Sequence, residues 1–159
     1  MAGIEIRGLA GEIEKLRSLG KNLDTIVDGA LEKSAKQIEA KASKNIETMN
    51  VSYNGRTYDA LDTGRLQRSI KHEKIPNGYA IGTDVEYAPY VEFGTSTAGD
   101  PAVAHTAREK WPYFDDESGQ YRTAYPLPPR PFLRPAFNDS VDLVKDNIVE
   151  AIKKAAEEG

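Results

Sequence analysis

Cysteine is absent from the sequence, which rules out disulfides, thiolate metal sites and a cysteine nucleophile. Long apolar runs are absent too. None approaches the ~20 residues that a membrane-spanning helix needs, and the opening MAGIEIRGLAGEIEK lacks the apolar centre of a signal peptide. The chain is therefore expected to start and remain in a cytosol, or to join a particle assembled there, with no membrane partner. Histidine is scarce, with only His72 and His105. His105 and Glu109 stand four apart, but one such pair does not make a metal site. His72, among charged neighbours in a strand-like stretch, reads as a surface residue. No metal or cofactor is expected. An excess of positive charge is also missing. With 21 Lys and Arg against 25 Asp and Glu, the net charge is −4, which argues against a firm grip on nucleic-acid phosphates. Residues 1–49 hold eight basic and eight acidic side chains, and residues 132–159 hold four and six. No tail of like charge is set apart for DNA or membrane.

What remains is a chain of 159 residues, 39% hydrophobic and 29% charged, long enough to bury one core and expected to form a single domain over 1–159. Gly3–Leu9 alternates apolar and charged residues, predicting a short half-buried strand. Ile13, Leu16 and Leu19 follow at helical spacing. From Asn22 a long amphipathic helix is expected, with Leu23, Ile26, Val27, Ala30, Leu31, Ala35, Ile38, Ala42, Ile46 and Met49 on one stripe. Asn54-Gly55 predicts a hairpin turn between Val51-Tyr53 and Thr57-Tyr58. A turn of helix and strands at Ser69–Ile75, Gly78–Thr83 and Ala88–Phe93 are expected next, the first two joined through Pro76-Asn77-Gly78.

Residues 96–131 change character, rich in proline, glycine and polar side chains. Within them Trp111, Tyr113 and Phe114 face Tyr121, Thr123 and Tyr125 across an expected hairpin whose tip is DDESGQ. A second long amphipathic helix is expected from Pro131 to the end, with Pro131 at its first position and Pro135 within its first turn. Phe132, Leu133 and Phe137 would anchor it. The fold class predicted is α+β: two long helices on a small, mostly antiparallel sheet, with a long hairpin-containing insert.

Asp62-Thr63-Gly64 is the triplet that carries a catalytic carboxylate in aspartic proteases, and YAIGT (Tyr79–Thr83) resembles an apolar stretch of the retroviral enzymes. Such a site needs two carboxylates sharing a proton, hence a dimer. The surroundings do not match: RTYDAL precedes the triplet, Arg65 follows it, and long helices flank the region. A turn-and-cap role, with Asp62 or Thr63 capping a helix that starts near Gly64, explains the triplet without catalysis. Ser69 and Ser96 lie in no G-x-S-x-G elbow, and PNGYAIGT lacks the spacing and lysine of a phosphate loop. No catalytic residue is assigned.

Three separated blocks carry more information together: DTGRLQRSI (Asp62–Ile70), YAPYVEFGT (Tyr87–Thr95) and RPFLRPAF (Arg130–Phe137). In this order, between two long helices, they resemble the small head–tail joining or minor tail proteins of lambda-like long-tailed bacteriophages, also called neck or tail-completion proteins. The resemblance extends from Ile4 to the C-terminal helix. It departs from the family at YNGRTYDAL, interposed before the first block, and at residues 96–131, where relatives commonly have a short loop.

The residue types suit structural work. Gly64 permits a tight turn; Tyr87 and Phe93 belong to an expected strand ended by Gly94. Glu92 is placed to accept from a backbone turn or to pair with Arg65 or Arg68. Pro131 and Pro135 fix the direction in which the last helix starts, and Phe132 anchors it. The resemblance implies a non-enzymatic virion component at the head–tail junction or the head-proximal end of the tail. Its implied partners are further copies in a ring, six-fold by analogy with tail symmetry, other neck or tail proteins, and passing double-stranded DNA. Trp111, Tyr113, Tyr121 and the expectedly exposed Arg130 and Arg134 are the candidate contact residues, while Trp111 packing on its own sheet is the equal alternative. A prophage binding module that uses the aromatic insert, and a dimeric protease using Asp62, stay open as other readings.

Overall fold

In a computed structural model of the chain, residues 5–61 and 64–159 are described. The elements run α1 Ala10–Ser18, α2 Leu23–Thr48, β1 Asn50–Tyr53, β2 Arg56–Asp59, α3 Arg65–Ser69, β3 Lys71–Ile75 and β4 Gly78–Gly82. They continue with α4 Ala88–Phe93, a 3-10 turn Ser96–Ala98, β5 Trp111–Asp115, β6 Gln120–Ala124, α5 Leu133–Asn138 and α6 Val141–Glu157. The class is α+β, as the periodicities predict. The antiparallel pairing is divided among three hairpins, β1-β2, β3-β4 and β5-β6.

Helix α2 forms where the apolar stripe demands it. Asn22 caps its start, its Oδ1 accepting the N–H groups of Asp24 at 2.9 Å and Thr25 at 3.4 Å. Ala30, Ala35, Ile38, Ala42 and Ile46 on the stripe are buried. The β1-β2 turn uses positive φ at both central residues, 50° at Asn54 and 74° at Gly55. This is the backbone a two-residue hairpin needs, and Asn and Gly tolerate it best. β5 and β6 pair from Trp111↔Ala124 to Asp115↔Gln120, which puts the acidic tip where the sequence predicts it.

The chain divides into two compact units. The first comprises Met1–Ala42, Ile70–Gly82 and Pro135–Gly159. Its core holds Leu9, Leu16, Ile152 and Ala156, flanked by Ile13, Leu23, Ile26, Val27 and Ile148. One buried polar link crosses between α2 and α6: the Asn147 amide donates to Ser34 Oγ at 2.9 Å and Gln37 Oε1 at 2.7 Å. His72 is half-buried rather than on the surface, with its ring Nδ1 and backbone N–H both bonded to Glu39 Oε2. The second unit comprises Ser43–Ser69 and Thr83–Arg134, and holds the functional candidates.

Other expectations are corrected as well. Glu5–Leu9 form no strand, and Gly3 and Ile4 lie outside the described residues; each strand of the described residues is paired within its own hairpin, which leaves no partner to reward extension here. Ala88–Phe93 is a helix, not a strand. Its buried residues Ala88, Val91 and Glu92 recur at spacings of three and four, and Pro89 sits in the first turn, where its missing N–H costs nothing. The C-terminal helix is broken at Asp139-Ser140, after Asn138. Asn, Asp and Ser compete with helical backbone for hydrogen bonds, and the Ser140 N–H closes a tighter bond to the Phe137 carbonyl at 3.0 Å. Pro131 accordingly precedes α5 instead of opening it, while Pro135 is its third residue. Phe137, expected to anchor the last helix, is 40% exposed.

Leu16 is 1% exposed at the centre of the first unit's core. Leu16→Ala should cost about 2–5 kcal/mol of unfolding free energy, read from the urea midpoint at unchanged slope. A loss under about 1 kcal/mol would mean that α1 is not part of that core.

Candidate functional site

The second unit is organised around one carboxylate. Glu92, on the inner face of α4 and 4% exposed, accepts three consecutive backbone N–H groups. Oε2 takes those of Phe132 at 2.8 Å and Leu133 at 2.9 Å, and Oε1 takes that of Arg134 at 3.0 Å. These are the donors that a helix start leaves unpaired. The next residue, Pro135, has no N–H to satisfy. A carboxylate at the positive end of α5 also opposes the helix dipole. Glu92 thus caps α5 from 40 residues away in the sequence.

A cation completes the clamp. Arg134 Nε donates to Glu92 Oε1 at 3.1 Å and its Nη1 pairs with Asp100 Oδ2 at 2.8 Å, while the guanidinium lies 4.8 Å from the centre of the Phe93 ring. The Asp100 carboxyl is held below its ordinary value, chiefly by the Ala102 N–H and then by Arg134. The Arg134 guanidinium is held above its ordinary value by the bonds to Asp100 and Glu92. Charge-assisted hydrogen bonds in this geometry are the strong kind.

Around the clamp, backbone bonds tie the third block to the second. Arg130 N–H donates to the Val91 carbonyl at 2.8 Å, and Thr95 N–H to that of Leu127 at 2.9 Å. Asn45 Nδ2 reaches the Phe132 carbonyl at 2.9 Å, and Phe132 is 1% exposed. Gly94 ends α4 at φ 71°, with a Cβ position only 2.6 Å from the Leu127 carbonyl oxygen. Both its conformation and its space exclude a side chain. The Arg65 guanidinium lies 6.0 Å from the Tyr87 ring centre, linking the first block to the second.

Arg130 corrects an expectation. It is buried, not exposed, with Nη1 donating to the Asp59 carbonyl at 3.0 Å and Nε lacking an acceptor among the described residues. Burial lowers its pKa, partly offset by Tyr58. Arg130 forms part of the wall of an open groove of about 1090 Å³. Arg56, Asp59, Tyr87, Tyr90, Trp111, Tyr113 and Tyr125 also line this groove.

No catalytic constellation gathers among the described residues here. The Ser96 hydroxyl is engaged with the backbone of Arg108, donating to its carbonyl and accepting its N–H at 2.9 Å. His105 Nε2 donates to the Asp100 carbonyl at 3.0 Å. Among the described residues, no cluster of His, Cys, Asp or Glu could hold a metal ion. Asp62 and Thr63 lie outside the described residues; Gly64 has a φ of 76°, and its carbonyl accepts the Arg68 N–H at 3.1 Å.

Residues 12–94, which include α4 with Glu92 but not the block Arg130–Phe137, match the family described as "Bacteriophage HK97-gp10, putative tail-component". The chain belongs to this family of phage tail components. No curated protein and no solved structure matches the chain. No helix among the described residues is long and apolar enough to cross a membrane.

Within this tail component, the sequence-predicted residues sort by role. Glu92, Phe93, Gly94, Phe132, Arg134 and Pro135 converge on the clamp, and Pro131 leads the chain into it. Tyr113 and Tyr121 are 44% and 78% exposed on the hairpin, and Trp111 is half-buried against the groove. Glu92 takes the backbone-turn role expected of it, and its ionic partner is Arg134. Asp100 escapes the sequence reading, although the Gly99-Asp100-Pro101 run signals a turn in which an aspartate bonds to nearby N–H groups.

Glu92→Ala should leave three backbone N–H groups and the Arg134 Nε without their acceptor and cost about 3–5 kcal/mol in urea unfolding. Glu92→Gln should cost less, because one oxygen still accepts. Gly94→Ala and Gly55→Ala share the strain of positive φ, but only Gly94 faces backbone atoms, whereas nothing lies within 4 Å at Gly55. The Gly94 variant should therefore melt well below the Gly55 variant; equal losses would refute the close approach to Leu127.

Proposed function

We propose that this tail component sits at the head-proximal end of the tail or at the head–tail junction, as one subunit of a ring around the DNA channel. Family membership supports a structural role in the virion. The single observation that carries the structural, non-catalytic part of the reading is the clamp. Its buried carboxylate has both oxygens engaged by backbone N–H groups and Arg134, so it holds a rigid frame and has no lone pair to spare for chemistry.

The ring reading rests on geometry that favours repeated contacts. The β5-β6 hairpin exposes Phe114 and Tyr121, and a groove with exposed tyrosines lies on the same unit. One molecule carrying two unlike contact surfaces assembles head to tail, and such contacts close into rings when the rotation per subunit allows. The net charge of −4 suits a conduit that lets DNA pass, since like charge keeps a polyanion from sticking. Other neck or tail proteins are the further partners of this reading, and assembly in the host cytoplasm follows from it.

The test is the solution mass by light scattering over a wide concentration range, with electron-microscope images of the largest species. Closed rings are the expected result and would give the symmetry. A monomer at every concentration would remove self-closure. Acid-dependent peptide cleavage lost in Asp62→Asn would overturn the non-enzymatic assignment.

A further inference from the structure

Two unlike surfaces of the second unit are complementary in charge and in chemistry. On β5-β6, cross-strand neighbours share a face, so Trp111 and Tyr113 lie on one side and Phe114 and Tyr121 on the other. Phe114 and Tyr121 meet edge to face with ring centres 5.3 Å apart, yet they remain 51% and 78% exposed. Beyond them Asp115 is paired with Arg122 at 2.7 Å. Asp116 and Glu117, at the very tip, are exposed and in no ion pair among the described residues. The hairpin therefore ends in an aromatic pair topped by two carboxylates.

The groove offers the converse. Three arginines and one aspartate line it, together with tyrosines. Arg56 and Arg108 are exposed and in no ion pair among the described residues, while Arg130 is 8% exposed within the wall. The exposed guanidinium groups of Arg56 and Arg108 leave the groove cationic and open to carboxylates from outside. Trp111 and Tyr113, at the base and middle of the same copy's hairpin, already form part of the groove wall.

We propose that the β5-β6 tip of one copy docks into this groove on the next copy. Asp116 and Glu117 then face Arg56 and Arg108, and Phe114 and Tyr121 pack on the groove tyrosines. The contact is heterologous, so each copy gives a tip and receives one, which is the arrangement a ring requires. The inference rests on the self-assembly reading and names its interface. The family match ends at residue 94, so the hairpin lies beyond the matched segment.

The absence of cysteine makes the test direct. Two full-length single-cysteine chains, Ser118→Cys at the tip and Thr106→Cys in the groove lining, are mixed and oxidised, one carrying a size tag. A mixed disulfide should accumulate well above that of Ser118→Cys with Lys36→Cys, an exposed site on α2. Separately, Asp116→Lys with Glu117→Lys should weaken self-association about tenfold or more, and adding Arg56→Glu with Arg108→Glu should restore it. A mixed disulfide no more abundant than the control overturns the docking, whatever the solution mass. Rings that persist unchanged after charge reversal also overturn it while leaving the ring reading intact. A selective disulfide in a protein that is otherwise monomeric upholds the contact and removes only self-closure.

Discussion

The Glu92 carboxylate is the interaction on which the second unit depends. A six-residue helix such as α5 has too few internal bonds to hold itself together, and its start carries N–H groups that must be paired. Glu92 supplies both oxygens to three of those groups, and Pro135 removes the need for another. Because α4 carries the acceptor and Phe132–Arg134 the donors, neither segment reaches its place without the other. Arg134 then neutralises the carboxylate, and Asp100 and the Phe93 ring hold Arg134. A buried charge is costly alone, so these partners work as one unit.

The same clamp explains why the long insert is tolerated. It leaves the frame after α4 and returns just before the capped residues, and backbone bonds from Thr95 to Leu127 and from Arg130 to Val91 close its base. With both ends fixed, the length between them is free to vary, since loop-closure cost rises only slowly with length. In this chain that freedom is used for a hairpin that exposes aromatics. Exposed aromatic surface is rare on an isolated subunit and common at interfaces, in keeping with the assembly role proposed for this tail component.

The three sequence blocks are visible because each contains residues with narrow conformational uses: Gly64, Gly94, Pro131 and Pro135. Their convergence is not. Glu92 reads as an acceptor for a turn, but which turn depends on bringing residue 92 to residues 132–134. Ala88–Phe93 reads as a strand, since Tyr, Val and Phe favour extended backbone when nothing else intervenes. Burial of Glu92 at helical spacing from Ala88 decides otherwise. Arg130 looks like surface by residue type, yet its neighbour Phe132 draws the backbone inward and Asp59 offers it a carbonyl.

Sequence alone determined what depends on neighbours along the chain. It set the long α2 helix through its apolar period and Asn22 cap, the three hairpins through their turn residues, the α+β class, and the exclusion of cysteine chemistry. Tertiary structure decided what depends on partners distant in sequence: the capped α5 helix, the helical state of α4, the burial of Arg130 and the groove beside it. The physical reason is the range of the forces involved. Turn strain and apolar periodicity act within a few residues, whereas a buried carboxylate takes its meaning from whichever donors the fold delivers to it.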